Sequence, residues 1–489
     1  MRMTRWKFLG LATGIDAFVL FIVLDSSLKN FGQWESRPAM AAAVASLMAI
    51  WWLTEAVPIY VTACVPILLF PALGVFGKRI GSNVVEAILP YFDPYNFLFA
   101  GGMCIAAAMQ QCNLHRRIAL SIMRLIGTDP RRLLLGFLCA TAFISLWISN
   151  TATATMMVPI GIAMIAQLED QHGNRRLTHY GCAIMLSIAY ASNLGGIGTK
   201  IGTAPNTQFV GFMQGLGVDI SFLQFMAVGF PFVVFFLPVV WLMLWRIGRK
   251  DSLQGDFGKT VVAEELAKLG SIKKVEMIVL GVFLGTAFLW IAGKPVTEVL
   301  KTHITAFKLT TAYVEGGIAV LATLVLLMWR NDGRQVLGIR SLRFVPWEVL
   351  LLLGSGFALA AGIQKSGLSE WMGLQLAGVR DLPPFLQVLL ASVTTVGISA
   401  VATNTGTIAV MLNVLKDAVT PEMLNTVLFT ATIAASCDFA LPAGTPPNAI
   451  VFGSGYITIP RMAKTGVVLD LAAALLAACW CWLVVRVVM

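Results

Sequence analysis

The chain has 489 residues, of which 57% are hydrophobic and 12% charged, and a mean hydropathy of +0.80. A water-soluble protein of this size would have to expose large apolar patches at that composition, so the solvent is lipid. The net charge of +10 does not indicate nucleic acid, because the basic residues fall in gaps between apolar runs instead of along an aromatic-interleaved face.

A bilayer core of roughly 30 Å takes about 20 apolar residues per helix, which leaves room for ten to twelve crossings. The first apolar run, 8–28, follows Arg2, Arg5 and Lys7 but is long for a signal peptide and lacks a small-residue cleavage site, so it reads as a transmembrane helix. Further spans are expected at 38–54, 58–76, 96–126, 180–212, 222–245, 274–292, 309–329, 347–372, 424–456 and 465–487. Two more stretches, 132–167 and 384–415, must enter and leave on one side and read as re-entrant hairpins. The expected fold is therefore an all-α polytopic membrane protein of about eleven transmembrane helices plus two re-entrant hairpins.

With the N-terminus inside, the cytoplasmic segments hold 23 of the 35 Lys and Arg and the outer segments ten. This bias predicts a multi-pass protein of the cell inner (plasma) membrane, N-terminus cytoplasmic and C-terminus outside. The polar loop 246–274 divides two halves, and its EELAKL stretch reads as a surface helix.

The halves repeat without a gap over about 55 residues, an offset of 254 relating Gln110 to Gln364, Ser145 to Ser399, Asn150 to Asn404 and Thr151 to Thr405. A later match pairs GTAPN, 202–206, with GTPPN, 444–448. Because 96–126 runs inward and 347–372 outward, the repeats are expected to be inverted, as in secondary transporters. The expected organisation is scaffold helices at 1–95, a first repeat core at 96–221, scaffold helices and loop at 222–346, a second repeat core at 347–456, and a C-terminal helix at 457–489.

Ser149, Asn150 and Thr151 sit where the first hairpin turns, and Thr403, Asn404 and Thr405 where the second does. One such turn would be read as side chains satisfying their own backbone. Two at matched positions of inverted repeats point instead to a binding site, with hydroxyls, Asn oxygens and turn carbonyls for a cation and amides, hydroxyls and helix starts for an anion. The partner segments, 192–206 and 439–450, interrupt apolar helices with Gly and Pro. No arginine lies near the four segments and Lys200 is the one cation within them, so a bound dianion has to be balanced by helix N-termini, amides and co-bound cations.

Among acidic residues in or beside spans, Glu55, Asp93 and Glu348 lie near span ends and are expected at the interface, whereas Glu315 and Asp438 lie within, Asp438 placed to orient the second break. The four histidines read as structural or solvated and the eight cysteines as small packing residues. Neither a nucleophile with its base nor a metal cluster occurs at mid-membrane depth, so an enzyme is not expected.

WWLTEAVP at 51–58, SNT at 149–151, GGIGTKIGTAPN at 195–206, TNT at 403–405 and LPAGTPPNAIVF at 441–452 resemble the divalent anion/sodium symporters, the dicarboxylate, citrate and sulfate carriers, over nearly the whole chain. The resemblance implies a homodimer in membrane lipid, with scaffold and transport domains and an elevator motion. It implies one sodium site at Ser145, Ser149, Asn150 and the Gly198 carbonyl, and a second at Ser399, Ala402, Asn404 and the Gly444 carbonyl. Substrate contacts would come from Asn150, Thr151, Thr199, Asn404, Thr405, Thr445 and Pro446. The implied activity is import of a C4 dicarboxylate such as succinate, malate or fumarate with co-transported sodium. The alternatives are a sodium-independent exchanger, in which Lys200 replaces cation charge or else snorkels to the aqueous side, and a citrate or sulfate carrier. The second motif departs from the family pattern by carrying Thr403 in place of serine, which keeps the hydroxyl.

Overall fold

The structure is a computed structural model that describes residues 5–24, 38–77, 80–173, 175–253, 258–304, 309–331, 334–442 and 444–489. Helices dominate it, and among the described residues the one sheet is a two-residue antiparallel ladder that pairs Arg330 with Gln335 and Asn331 with Arg334. Among the described residues six helices are each long and apolar enough to cross a bilayer: Asn150–Gln171, Phe222–Asp251, Lys274–Ile291, Thr311–Met328, Trp347–Ser366 and Ile459–Val488. Shorter apolar helices cover Pro38–Thr54, Ile59–Leu73 and Pro384–Ser399. The first helix is described over Arg5–Val23, and the expected end of that span at 28 lies outside the described residues.

Two expected spans are interrupted. The run 96–126 becomes Pro94–Gln111 and Leu114–Ile126, set at 76° to one another. Asn113 forms the corner in a left-handed conformation at φ 59, where Asn is tolerated better than most residues. The second piece is amphipathic, burying Leu114, Ala119, Leu120 and Met123. Arg117 turns away to Glu276 at 2.6 Å, and Arg116 pairs with Glu265 of the surface helix Gly258–Leu269. That surface helix contains the EELAKL stretch. The counterpart 347–372 ends at Ser366 and turns at Gly367, φ 82, before a short helix Leu368–Gln375. Asn113 and Gly367 are themselves 254 residues apart, so the corner belongs to the repeat and not to one local sequence.

Both hairpins form with matched boundaries. The first has arms Pro130–Ser145 and Asn150–Gln171, and the second Pro384–Ser399 and Asn404–Ala418. Each opens on proline, whose missing N–H costs nothing in a first turn, and each returning arm is capped by the hydroxyl before the asparagine. Ser149 Oγ accepts from the Ala152 N–H and Thr403 Oγ1 from the Gly406 N–H. The long apolar segments expected at 180–212 and 424–456 are broken. They form Thr178–Gly196 with Ala204–Gly215, and Leu424–Ala435 with Pro446–Phe452.

Unwound backbone in an apolar interior must find partners, and here one asparagine at the far side of each break supplies them. Asn206 Nδ2 donates to the Gly196 and Thr199 carbonyls at 2.8 and 2.7 Å. Asn448 Nδ2 donates to the Asp438 and Leu441 carbonyls at 3.2 and 3.0 Å. Replacing either asparagine would remove two hydrogen bonds from the break, at about 0.5–1.5 kcal/mol each, because the Asp438 carbonyl keeps the Asn193 amide and the Thr199 and Leu441 carbonyls keep the Gly202 and Gly444 N–H groups.

Candidate functional site

The two hairpin tips and two helix breaks meet around one cavity of about 510 Å³, a size that suits a small ligand. Four helix beginnings line it: Asn150, Asn404, Ala204 and Pro446 are the first residues of their helices, and all four border the space. Ser149, Thr151, Thr403, Thr405, Asn193, Thr203, Gly444 and Thr445 add hydroxyls, amides and backbone. The opposite wall is apolar, with Ile59, Phe99, Met103, Val349 and Leu352, and carries Glu348.

Among the described residues no lysine, arginine or histidine lines this cavity. The positive end of a helix dipole amounts to roughly half a charge, and three of these helices, those starting at Asn150, Ala204 and Asn404, are 12 residues or longer. Together they supply on the order of +1.5, which falls short of a dianion. Cations must make up the difference if a dianion is to rest there.

Beside the tips the structure repeats one arrangement of oxygens. Ser145 Oγ lies 2.9 Å from Asn150 Oδ1 and 2.6 Å from the Ser192 carbonyl. Ser399 Oγ lies 2.9 Å from Asn404 Oδ1 and 2.6 Å from the Ala435 carbonyl. A serine hydroxyl carries one proton, so in each triad two acceptor oxygens compete for it. Such oxygen-rich, proton-poor clusters suit a hard cation. In each half the cluster joins a hairpin tip to the end of a broken helix, so filling it would hold the two together.

The site residues expected from the sequence divide into three groups. Ser149, Asn150, Thr151, Asn404, Thr405, Gly444, Thr445 and Pro446 border the cavity. Ser145 and Ser399 stand behind it in the oxygen triads, and Ala402 is buried in the second tip with its N–H on the Ser399 carbonyl. Thr199 and Gly198 are drawn away: the Thr199 hydroxyl donates to the Leu146 carbonyl at 2.5 Å, and Gly198 packs on the Leu146 side chain. Thr199 therefore braces the first break against its hairpin and does not face the cavity.

Lys200 neither snorkels nor enters the cavity. It is fully buried, its Nζ 2.6 Å from Glu315 Oε2 and 5.2 Å from the centre of the Tyr95 ring. Glu348 is exposed at the cavity wall, which a purely interfacial placement did not foresee. Glu55 is exposed, and Asp93 caps its helix by accepting the Tyr95 N–H at 2.9 Å. Asn193, Thr203 and Pro447 are cavity residues that the motif reading left unassigned, although 193 and 203 fall inside the first glycine-rich break.

Residues 16–488 match the family described as the sodium:sulfate symporter transmembrane region. The chain is 35% identical over 474 residues to the sodium-dependent dicarboxylate transporter SdcS of Staphylococcus saprophyticus, covering 94% of this chain and 88% of that one. It is 36% identical over 446 residues to the protein of that name in Staphylococcus aureus (strain USA300), covering 89% and 83%. Among solved structures the fold is similar to the YdaH transporter of Alcanivorax borkumensis, with a TM-score of 0.57 at 14% identity over 86% of this chain and 97% of that one.

Proposed function

The chain belongs to the sodium:sulfate symporter family, a family of transporters, and on that premise we propose that it carries a C4 dicarboxylate such as succinate, malate or fumarate across the cell membrane together with sodium. The observation that carries the reading is the duplicated triad, Ser145 with Asn150 and Ser399 with Asn404, each asparagine lining a cavity that among the described residues no basic residue lines. The dianion rests among helix N-termini and the hydroxyls and amides of Asn150, Thr151, Asn404, Thr405 and Thr445. Sodium in the triads supplies the missing positive charge. Binding of one species therefore favours the other, which is coupling in thermodynamic terms.

The transporter named SdcS is sodium-dependent and takes dicarboxylates, which supports this choice over citrate or sulfate. A sodium-independent exchanger would need a resident cation at the substrate, and the one candidate, Lys200, is engaged by Glu315. Two copies of the chain form the working unit in the same proposal, N-termini cytoplasmic and C-termini outside. Within each copy the hairpins and broken helices move as one body against the remaining helices, because the oxygen triads tie tip to break in each repeat.

Purified protein in proteoliposomes tests the reading. Labelled succinate should accumulate under an inward sodium gradient and compete with malate and fumarate more strongly than with citrate or sulfate. Equal uptake with choline in place of sodium would refute it.

A further inference from the structure

The two oxygen triads are alike, but the residues behind them are not. In the first repeat the carbonyl held by the break's asparagine belongs to Gly196, and in the second it belongs to Asp438. The two positions are 242 residues apart, the same spacing that relates Asn206 to Asn448 and Gly202 to Gly444. At Gly196 a β-carbon would run into Asn150 Oδ1, an oxygen of the first triad. A side chain at this point of the repeat is thus directed at the cation cluster. At 438 there is such a side chain, and it is a carboxylate.

The Asp438 side chain is 0% exposed, and neither of its oxygens has a hydrogen-bond partner among the described residues. The Ala440 amide lies near without hydrogen-bond geometry, and the charged group that acts on Asp438 is another acid, Asp470. Asp470 has its own donor, the Phe439 N–H at 2.9 Å. The backbone of Asp438 is meanwhile held firmly, its carbonyl accepting from Asn193 Nδ2 at 2.9 Å and from Asn448 Nδ2 at 3.2 Å. Its carboxylate lies over the Cα of Gly444, close enough that a β-carbon there would collide with it. The same neighbourhood holds two further acceptors without donors, Asn193 Oδ1 and Asn448 Oδ1, and a Ser436 hydroxyl that makes no hydrogen bond among the described residues. A buried, unpaired carboxylate amid acceptors is poorly placed for a donor and well placed for a cation.

We propose that Asp438 is the anionic ligand of the second cation site, acting with Ser399, Asn404 and the Gly444 backbone, so that the two sites are unequal: neutral oxygens alone at the first, a carboxylate at the second. This rests on reading the triads as cation sites. Its consequence is an order of filling. A charged ligand binds a cation more tightly than neutral oxygens do, so the second site loads first, before substrate. The loaded pair of Asp438 and sodium is neutral overall and leaves the first site to provide the net positive charge that the dianion needs.

Hydrogen exchange read by mass spectrometry on the reconstituted full chain, titrated with sodium chloride against choline chloride and without dicarboxylate, resolves the two sites by peptide. In the unmutated protein, protection of 436–448 should reach half-maximum at a sodium concentration lower by about tenfold or more than protection of 192–206. In Asp438→Asn, which keeps the shape and removes the charge, half-protection of 436–448 should move up about tenfold and the ordering should vanish. Coincident half-points in the unmutated protein, or 192–206 filling first, overturns the proposal even if the variant does not fold. An unchanged titration in a folded variant overturns it as well. Absence of sodium protection at both peptides would instead refute the cation-site reading beneath it.

Discussion

Lys200 Nζ stands 2.6 Å from Glu315 Oε2 with both side chains fully buried, joining the first helix break to the helix Thr311–Met328. Glu315 Oε1 also accepts the Phe222 N–H at 2.7 Å, so the carboxylate serves both a cation and the start of another helix. The pair neutralises itself and contributes nothing to the charge balance of the cavity. Its members depend on one another more than the protein depends on them.

Removing one partner should therefore be worse than removing both. Lys200→Met or Glu315→Gln alone leaves a buried charge or its unmatched partner and should cost about 3–5 kcal/mol, whereas Lys200→Met with Glu315→Leu should recover most of that. Thermal unfolding in detergent reads the order directly. A double variant less stable than either single one would show that the pair holds the two helices together as an attraction worth keeping.

Glu348 is the one charged residue on the cavity wall among the described residues, and it is exposed. A carboxylate there repels a dianion, weakly because water screens it. Glu348→Gln should lower the KM for succinate by about two- to threefold with kcat little changed. A raised KM would indicate that Glu348 acts through a bound cation and assists the substrate.

On the surface helix Gly258–Leu269, Glu265 accepts from Lys268 at 2.6 Å and pairs with Arg116. The Lys268 hydrogen bond is the main cause, and the Arg116 charge a lesser one, that holds its carboxyl below the usual range against partial burial. A depressed carboxylate pKa contributes stability that is fully present above the unfolded value, roughly 4.3, and is lost as pH falls through the folded value. Glu265→Gln should thus lower the melting temperature at pH 7, and the gap to the unmutated protein should close as the pH drops below about 4.3. A gap that stays constant with pH would assign the effect to packing.

The hairpins and breaks were legible because each announces itself locally: polar residues in an apolar run, proline at the helix start, glycine where backbone must unwind. A common spacing repeated them, which turned weak signals into a pattern. The corner at Asn113 was not legible, because a hydropathy window counts apolar residues along the chain and not the face they occupy, so an amphipathic helix turned through 76° passes for the continuation of a span. For Lys200 the sequence offers only water or the substrate site as a destination, because its partner Glu315 lies 115 residues away. Thr199 and Thr445 occupy similar sequence contexts, yet one braces Leu146 and the other borders the cavity. The sequence places Asp438 as a support of the second break; its carbonyl has that role, while the unpartnered carboxylate is a fact of three dimensions.

Asn150 and Asn404 each join an oxygen triad and border the cavity, and in the proposed function each serves a cation and the dianion together, so the whole account turns on them. The direct measurement is sodium-driven uptake of labelled succinate by Asn150→Ala and Asn404→Ala in proteoliposomes, each first shown to be folded and monodisperse. Each variant is predicted to lose about 100-fold or more of the rate, as expected when ligands to both species vanish together. Uptake at the unmutated rate in both would contradict the account.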